Sequence, residues 1–130
     1  MAAGLATLEV LRESDGWRVL ETRGQYLEQM LGEALRESPF PASLARIGSI
    51  FWIALMASAP PRTAEAVAAE SGEAYATLFH SLLAQGIALA PSAYEVGFLS
   101  LAHERTDIDR LGEGLRSALA GTNPREPADD

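Results

Sequence analysis

Residues 86–103 read GIALAPSAYEVGFLSLAH, and no other stretch of the chain restricts the fold as tightly. Two short apolar runs, residues 87–90 and 96–101, lie on either side of Pro91, Ser92, Ala93, Tyr94 and Glu95. Apolar runs of strand length around such an insert predict a tight antiparallel pair of strands. A sheet with an apolar face in turn needs helices to cover it. One carboxylate, Glu95, falls at the predicted turn, where an isolated acid is ordinarily solvated and inert.

The remaining elements follow from periodicity. Leu5, Leu8 and Leu11 recur at steps of three, predicting an amphipathic helix that stops at Asp15-Gly16. No capping residue precedes it, so the start reads as a cut through a helix. Trp17, Leu20, Leu27, Met30, Leu31, Ala34 and Leu35 mark a second, longer helix ended by Pro39 and Pro41. Gly24 and Gly32 inside it each cost about 1 kcal/mol against alanine, which predicts tight packing or a bend at both. Residues 44–58, apolar on both alternations from Ile50 to Met56, predict one strand covered on both faces, with Phe51 and Trp52, like Phe98 further on, in the core.

Pro60 and Pro61 break the chain, and residues 63–71 predict a short exposed helix. Tyr75, Leu78, Phe79, Leu82 and Leu83 then form the apolar face of a helix over residues 72–85, closed by a left-handed Gly86. Thr106 reads as an N-cap with Asp107 and Asp109 in the first turn, ahead of Ile108, Leu111, Leu115 and Leu119. From residue 121 onward no apolar anchor remains, and a disordered tail is expected. The order is helix, helix, strand, helix, strand, strand, helix. The fold class is α+β, a small sheet of about three strands with helices packed on it.

A chain of 130 residues, 48% of them apolar, can bury the core of one domain. Its net charge of −8 argues against nucleic acid as a partner, since phosphates call for a basic face. No apolar run reaches the roughly 18 residues that a membrane helix needs, and no cationic segment precedes an apolar one. A soluble, cytoplasmic protein is expected. Cysteine is absent, which removes disulfides and thiolate chemistry. Lysine is absent too: all 10 basic residues are arginine, so no side chain can form a Schiff base with a carbonyl.

Ser100, His103 and Asp107 invite comparison with a hydrolytic triad, but no G-x-S-x-G elbow surrounds Ser100, and a strand residue, a loop histidine and a first-turn acid account for them. His80 and His103 are the only histidines, without metal-ligand spacing, and His80 falls on the polar side of its helix. Neither nucleotide-binding glycine fingerprint occurs.

The run LAPSAYEVGFLSLAH, followed by Asp107-Ile108-Asp109 and an apolar helix, resembles the C-terminal signature of the glutamate-1-semialdehyde 2,1-aminomutase family, part of the class III pyridoxal-phosphate aminotransferases. MAAGLATLEVL resembles the helix that follows N-P-x-A-M-A-A-G in that family. Gly48-Ser49-x-Phe51, Tyr75 and Phe79 fall at matching distances, so the resemblance runs through residues 1–120 in order.

That resemblance implies the small C-terminal domain of a fold-type I enzyme. Residues 1–16 would be a helix leading to a large cofactor domain, residues 17–120 the small domain, and residues 121–130 a tail. It implies an isomerase that converts glutamate 1-semialdehyde to 5-aminolevulinate for tetrapyrrole (porphyrin) biosynthesis, works as a homodimer, and holds pyridoxal phosphate on a lysine of the large domain. In the family run A-P-S-x-[FY]-E-x-G-F the glutamate reaches the active site near the arginine that holds the substrate carboxylate; carried over, it is Glu95. Alone, the chain is then expected to bind no cofactor, hold no metal and catalyse nothing. Two alternatives stand beside this reading: a piece of another class III aminotransferase, or a stand-alone, non-enzymatic interaction domain.

Overall fold

The computed structural model describes residues 1–122 of the 130. Helix α1, Ala2–Glu13, buries none of its residues; only Leu11 leans on the core. Asp15 turns the chain in a left-handed conformation at the predicted break, and α2, Gly16–Arg36, follows. Its buried stripe of Leu20, Leu27, Leu31, Ala34 and Leu35 has the spacing read from the sequence. Trp17 does not belong to that stripe. It lies at the helix start and is 61% exposed.

Residues 44–58 do not form one strand. They bend into a hairpin of β1, Ala42–Ile47, and β2, Ile50–Leu55, in antiparallel register from Ala42 opposite Leu55 to Ile47 opposite Ile50. The cause is local: Gly48 takes φ +58° at the first position of a two-residue turn, a conformation glycine adopts without a steric penalty. Arg46 ties this turn to α2. Its guanidinium donates to Glu21, to Glu28 at 2.8 Å and to Gly48 O at 2.8 Å. Gly24 of α2 lies so close to the turn that a Cβ there would stand 2.2 Å from Gly48 O. Tight packing is therefore the answer at Gly24, while Gly32 faces only the end of Arg36 at 3.7 Å.

After β2 the predicted helix over 63–71 is a single 3-10 turn, Ala64–Ala66, and α3, Ser71–Ala84, starts beyond it. Ala74, Tyr75, Leu78 and Leu82 are buried, whereas Leu83 is exposed. The third strand, β3, Gly97–Phe98, pairs antiparallel with β2, giving the order β1-β2-β3. The hairpin predicted within residues 86–103 does not form. Residues 87–90 join no ladder, because Ile87 and Leu89 turn onto the core and the free edge of β2 takes up Gly97 and Phe98. Phe98, opposite Ile50, faces away from the helices and is 64% exposed, not core.

The last helix, α4, Arg105–Gly121, is capped by Glu104 and not by Thr106. Asp107 Oδ2 accepts from Glu104 N–H at 2.7 Å, one half of a capping box. Of the expected tail, Gly121 still belongs to α4 and Thr122 caps it; the rest lies outside the described residues.

Among the described residues the architecture is thus two layers, four α-helices and a three-stranded antiparallel sheet, which is the α+β class. Leu44, Phe51, Ile53 and Leu55 point from one sheet face toward Leu27, Leu31, Leu78, Leu82, Ile108, Leu115 and Leu119. Burying one such leucine contributes roughly 1.5–3 kcal/mol, so this apolar layer outweighs the exposed ion pairs, each worth about 0–1 kcal/mol. On the other face Ile47 and Phe98 are exposed, while Ile50 and Trp52 are half-buried.

Candidate functional site

The segment between α3 and β3 carries Glu95. Gly86, at φ +75°, ends α3 as read from the sequence: its N–H bonds Leu83 O and the Ile87 N–H bonds Leu82 O, both at 2.9 Å, a Schellman closure. Arg110 of α4 secures the same corner by donating to Gln85 O at 2.7 Å. The chain then passes Leu89 against the core. At Ala90 its carbonyl accepts from Tyr75 Oη at 2.7 Å, and at Ala93 from Trp52 Nε1 at 2.7 Å. Ser92 turns the backbone, its Oγ accepting from Tyr94 N–H and its carbonyl from Glu95 N–H. Ala93 is buried inside this turn; Tyr94 and Glu95 are exposed.

Glu95 is therefore not the tip of a hairpin but the second residue before β3. It borders a recess of about 10 Å³, lined also by Phe51, Ile53, Tyr75, Leu89 and Gly97, about the space of a single water. Burial, and secondarily the nearby Glu95 charge, raise the Tyr75 phenol above its ordinary value of 10.0. Gly97 is required here: a Cβ on it would stand 2.3 Å from the Phe51 ring.

Ser100, His103 and Asp107 serve a different purpose. Ser100 N–H donates to His103 Nδ1 at 2.9 Å, with Ser100 Oγ 3.1 Å from the same nitrogen. Asp107 is engaged at the start of α4. This is a turn that joins β3 to α4, held to α2 by Arg23, which donates to the carbonyls of Ser100 and Leu101. His80 is exposed, edge-on to Phe79. Among the described residues no group of three or more His, Asp or Glu is placed to hold a metal ion, and no helix is long and apolar enough to cross a membrane.

Two wider concavities flank the loop. One of about 460 Å³ lies over the open face of the sheet, between Ile50, Trp52, Pro61, Val67, Tyr94 and Val96. The other, of about 390 Å³, lies between residues 86–90, β3 and the start of α4, with Arg110 and His103 at its margin. Sequence reasoning placed Tyr75 and Trp52 in the core; Tyr75 is there, but Trp52 lies half-buried on the outer sheet face, and the polar tips of both were missed. The available signal was that a buried Tyr or Trp must find a partner for its O–H or N–H.

No protein-family model matches the chain. Over 121 residues, 92% of the chain, it is 44% identical to the glutamate-1-semialdehyde 2,1-aminomutase of Thermomicrobium roseum. Over 120 residues it is 40% identical to an enzyme of that name from Thermus thermophilus. The chain is homologous to a C-terminal portion of the glutamate-1-semialdehyde 2,1-aminomutases. It spans 28% of the length of each of these two aminomutases. Similarity to the aminomutases also extends to Bdellovibrio bacteriovorus, at 37% identity over 113 residues. Among solved structures, an omega-transaminase from Sphaerobacter thermophilus superimposes with a TM-score of 0.67 at 24% identity, covering 78% of this chain and 23% of that one. At that identity the likeness speaks for the fold: the α+β layer that carries the aminomutase match is the one seen in a transaminase.

Proposed function

We propose that this chain is the small domain of a glutamate-1-semialdehyde 2,1-aminomutase, and that Glu95 is its contribution to the substrate site. The observation that carries this is the 44% identity over 92% of the chain. In this reading α1 leads toward a large cofactor domain, residues 17–120 form the small domain, and the working enzyme is a homodimer that rearranges glutamate 1-semialdehyde to 5-aminolevulinate for tetrapyrrole synthesis. Pyridoxal phosphate would supply the electron sink for moving the amino group. The residues present do not fit a covalent hold on it. An amine is required, and every one of the 10 basic side chains is an arginine. The lysine therefore comes from polypeptide outside these 130 residues, and the chain alone is inactive.

Within that division, the exposed Glu95 carboxylate sets the charge around the arginine that holds the substrate carboxylate and helps to orient the substrate. In the enzyme with its lysine-bearing domain, Glu95→Gln is expected to lower turnover of glutamate 1-semialdehyde roughly 10²-fold; wild-type turnover in that variant would remove Glu95 from the site. A panel of other amino donors separates the aminomutase from a class III aminotransferase with a different substrate. Borohydride reduction of the 130-residue chain with pyridoxal phosphate should leave no adduct on any side chain, as peptide mapping of the product would show.

A second reading, a stand-alone interaction domain, is favoured by the open apolar face bearing Ile47 and Phe98. It would gain ground if the chain proved a compact species that captures a partner while the aminomutase assay failed.

A further inference from the structure

Residues 87–96 have little backbone pairing to hold them. The Ile87 N–H closes the end of α3, and the Glu95 N–H bonds back to Ser92 O at 3.1 Å. The carbonyls of Ala90 and Ala93 are instead taken by side chains, Tyr75 Oη and Trp52 Nε1, each at 2.7 Å. These donors stand on different elements, Tyr75 on α3 and Trp52 on β2, so they fix the loop at two points from two directions. Ala93 is buried on one side of Glu95, and Gly97 is pressed against the Phe51 ring on the other. A short exposed segment is thus anchored at both ends.

We propose that Tyr75 and Trp52 are positioning residues, holding the 90–95 loop so that the Glu95 carboxylate projects from one set place. The proposal rests on the reading of Glu95 as the substrate-facing acid. The physical reason lies in the donors. An aromatic side chain turns about two angles only, and Tyr75 is packed to 5% exposure, so its hydroxyl grips a carbonyl with little freedom of its own. A carboxylate that belongs to a substrate site has to be held to within about 0.5 Å of its working geometry. A phenol is protonated at neutral pH, and burial and the Glu95 charge move that of Tyr75 further up, so its hydroxyl is a donor there.

Two measurements on the 130-residue chain test this without substrate. The first compares hydrogen exchange at the two indole N–H groups: that of Trp52 should exchange on the order of tenfold more slowly than that of Trp17, which is 61% exposed. Equal rates overturn the proposal, and this comparison needs no variant. The second follows ionisation of Tyr75. Glu95→Gln lowers its midpoint by removing the neighbouring charge. Trp52→Phe should lower it part of the way, since a released loop lets Glu95 drift, and should speed amide exchange at Tyr94, Glu95 and Val96 on the order of tenfold while leaving Leu27, Leu78 and Leu115 unchanged. A purely structural role for Trp52 would speed exchange in core and loop alike. A wild-type midpoint with wild-type loop exchange in Trp52→Phe sinks the idea. An active Glu95→Gln enzyme, in contrast, would overturn the functional reading and leave the measured loop geometry standing.

Discussion

Gly24 and Gly32 both lie on α2, yet an added methyl group meets opposite surroundings at the two positions. At Gly24 it would meet Gly48 O at 2.2 Å, a backbone atom that cannot turn aside as a side chain can. Gly24→Ala should therefore cost about 1–3 kcal/mol, whereas Gly32→Ala, with only Arg36 at 3.7 Å, should gain about 1 kcal/mol. Urea unfolding of the two variants gives both signs in one experiment. The same corner sets a pH dependence. The hydrogen bond from Arg46 is the main reason that the Glu21 carboxyl lies below its ordinary value of 4.5. A lowered folded value contributes stability above that ordinary value and loses it as the pH falls through the folded one. The stability difference between wild type and Glu21→Gln should thus be present at pH 7 and shrink steadily below pH 4.5; a difference independent of pH would show that the pair does not titrate with folding.

At the scale of elements, α4 separates two readings of one sequence. The acids and hydroxyl near its start marked a helix terminus correctly, but the hydrogen bond that closes it runs from Glu104 N–H to Asp107. Asp107→Ala should cost about 1 kcal/mol, and Thr106→Ala should stay within about 0.5 kcal/mol of wild type; thermal melts of both decide between the caps. The strands show where local signals stop. The run from Leu44 to Ser58 looked like one doubly covered strand because every residue from Ile50 to Met56 is apolar, which hides the boundary between its two halves. Only the left-handed Gly48 divides them. The run from Val96 to Leu101 looked like a full strand and delivers two residues, since beyond Phe98 its backbone groups go to Ser49 and Arg23 rather than to a neighbouring ladder.

Taken whole, the molecule leaves apolar side chains exposed in two places. Ile47, Phe98 and Tyr94 lie open on the outer sheet face, and Leu5, Leu8 and Val10 lie open on α1. Groups of exposed apolar side chains mark candidate contact regions. Sedimentation of the 130-residue chain should show association that rises with concentration, together with uptake of an apolar dye. Leu5→Glu with Leu8→Glu, or Phe98→Glu, should reduce both without lowering the melting temperature, because none of these side chains contributes to the core. A monomer that takes up no dye at any concentration would count against contact roles for these faces.

By itself the sequence determined the four main helices, the break at Asp15, the closure at Gly86 and the α+β class, because helical period, glycine conformation and turn chemistry act over a few residues. It also held, in residues 86–103, the run by which the family is recognised. Strand pairing was decided only by the tertiary structure, since a ladder's partner can be any free edge in the molecule and β2 offered the one that Gly97 and Phe98 took. So too was the support of Glu95. The polar tips of Tyr75 and Trp52 reach Ala90 and Ala93 only once α3 and β2 have packed against the loop.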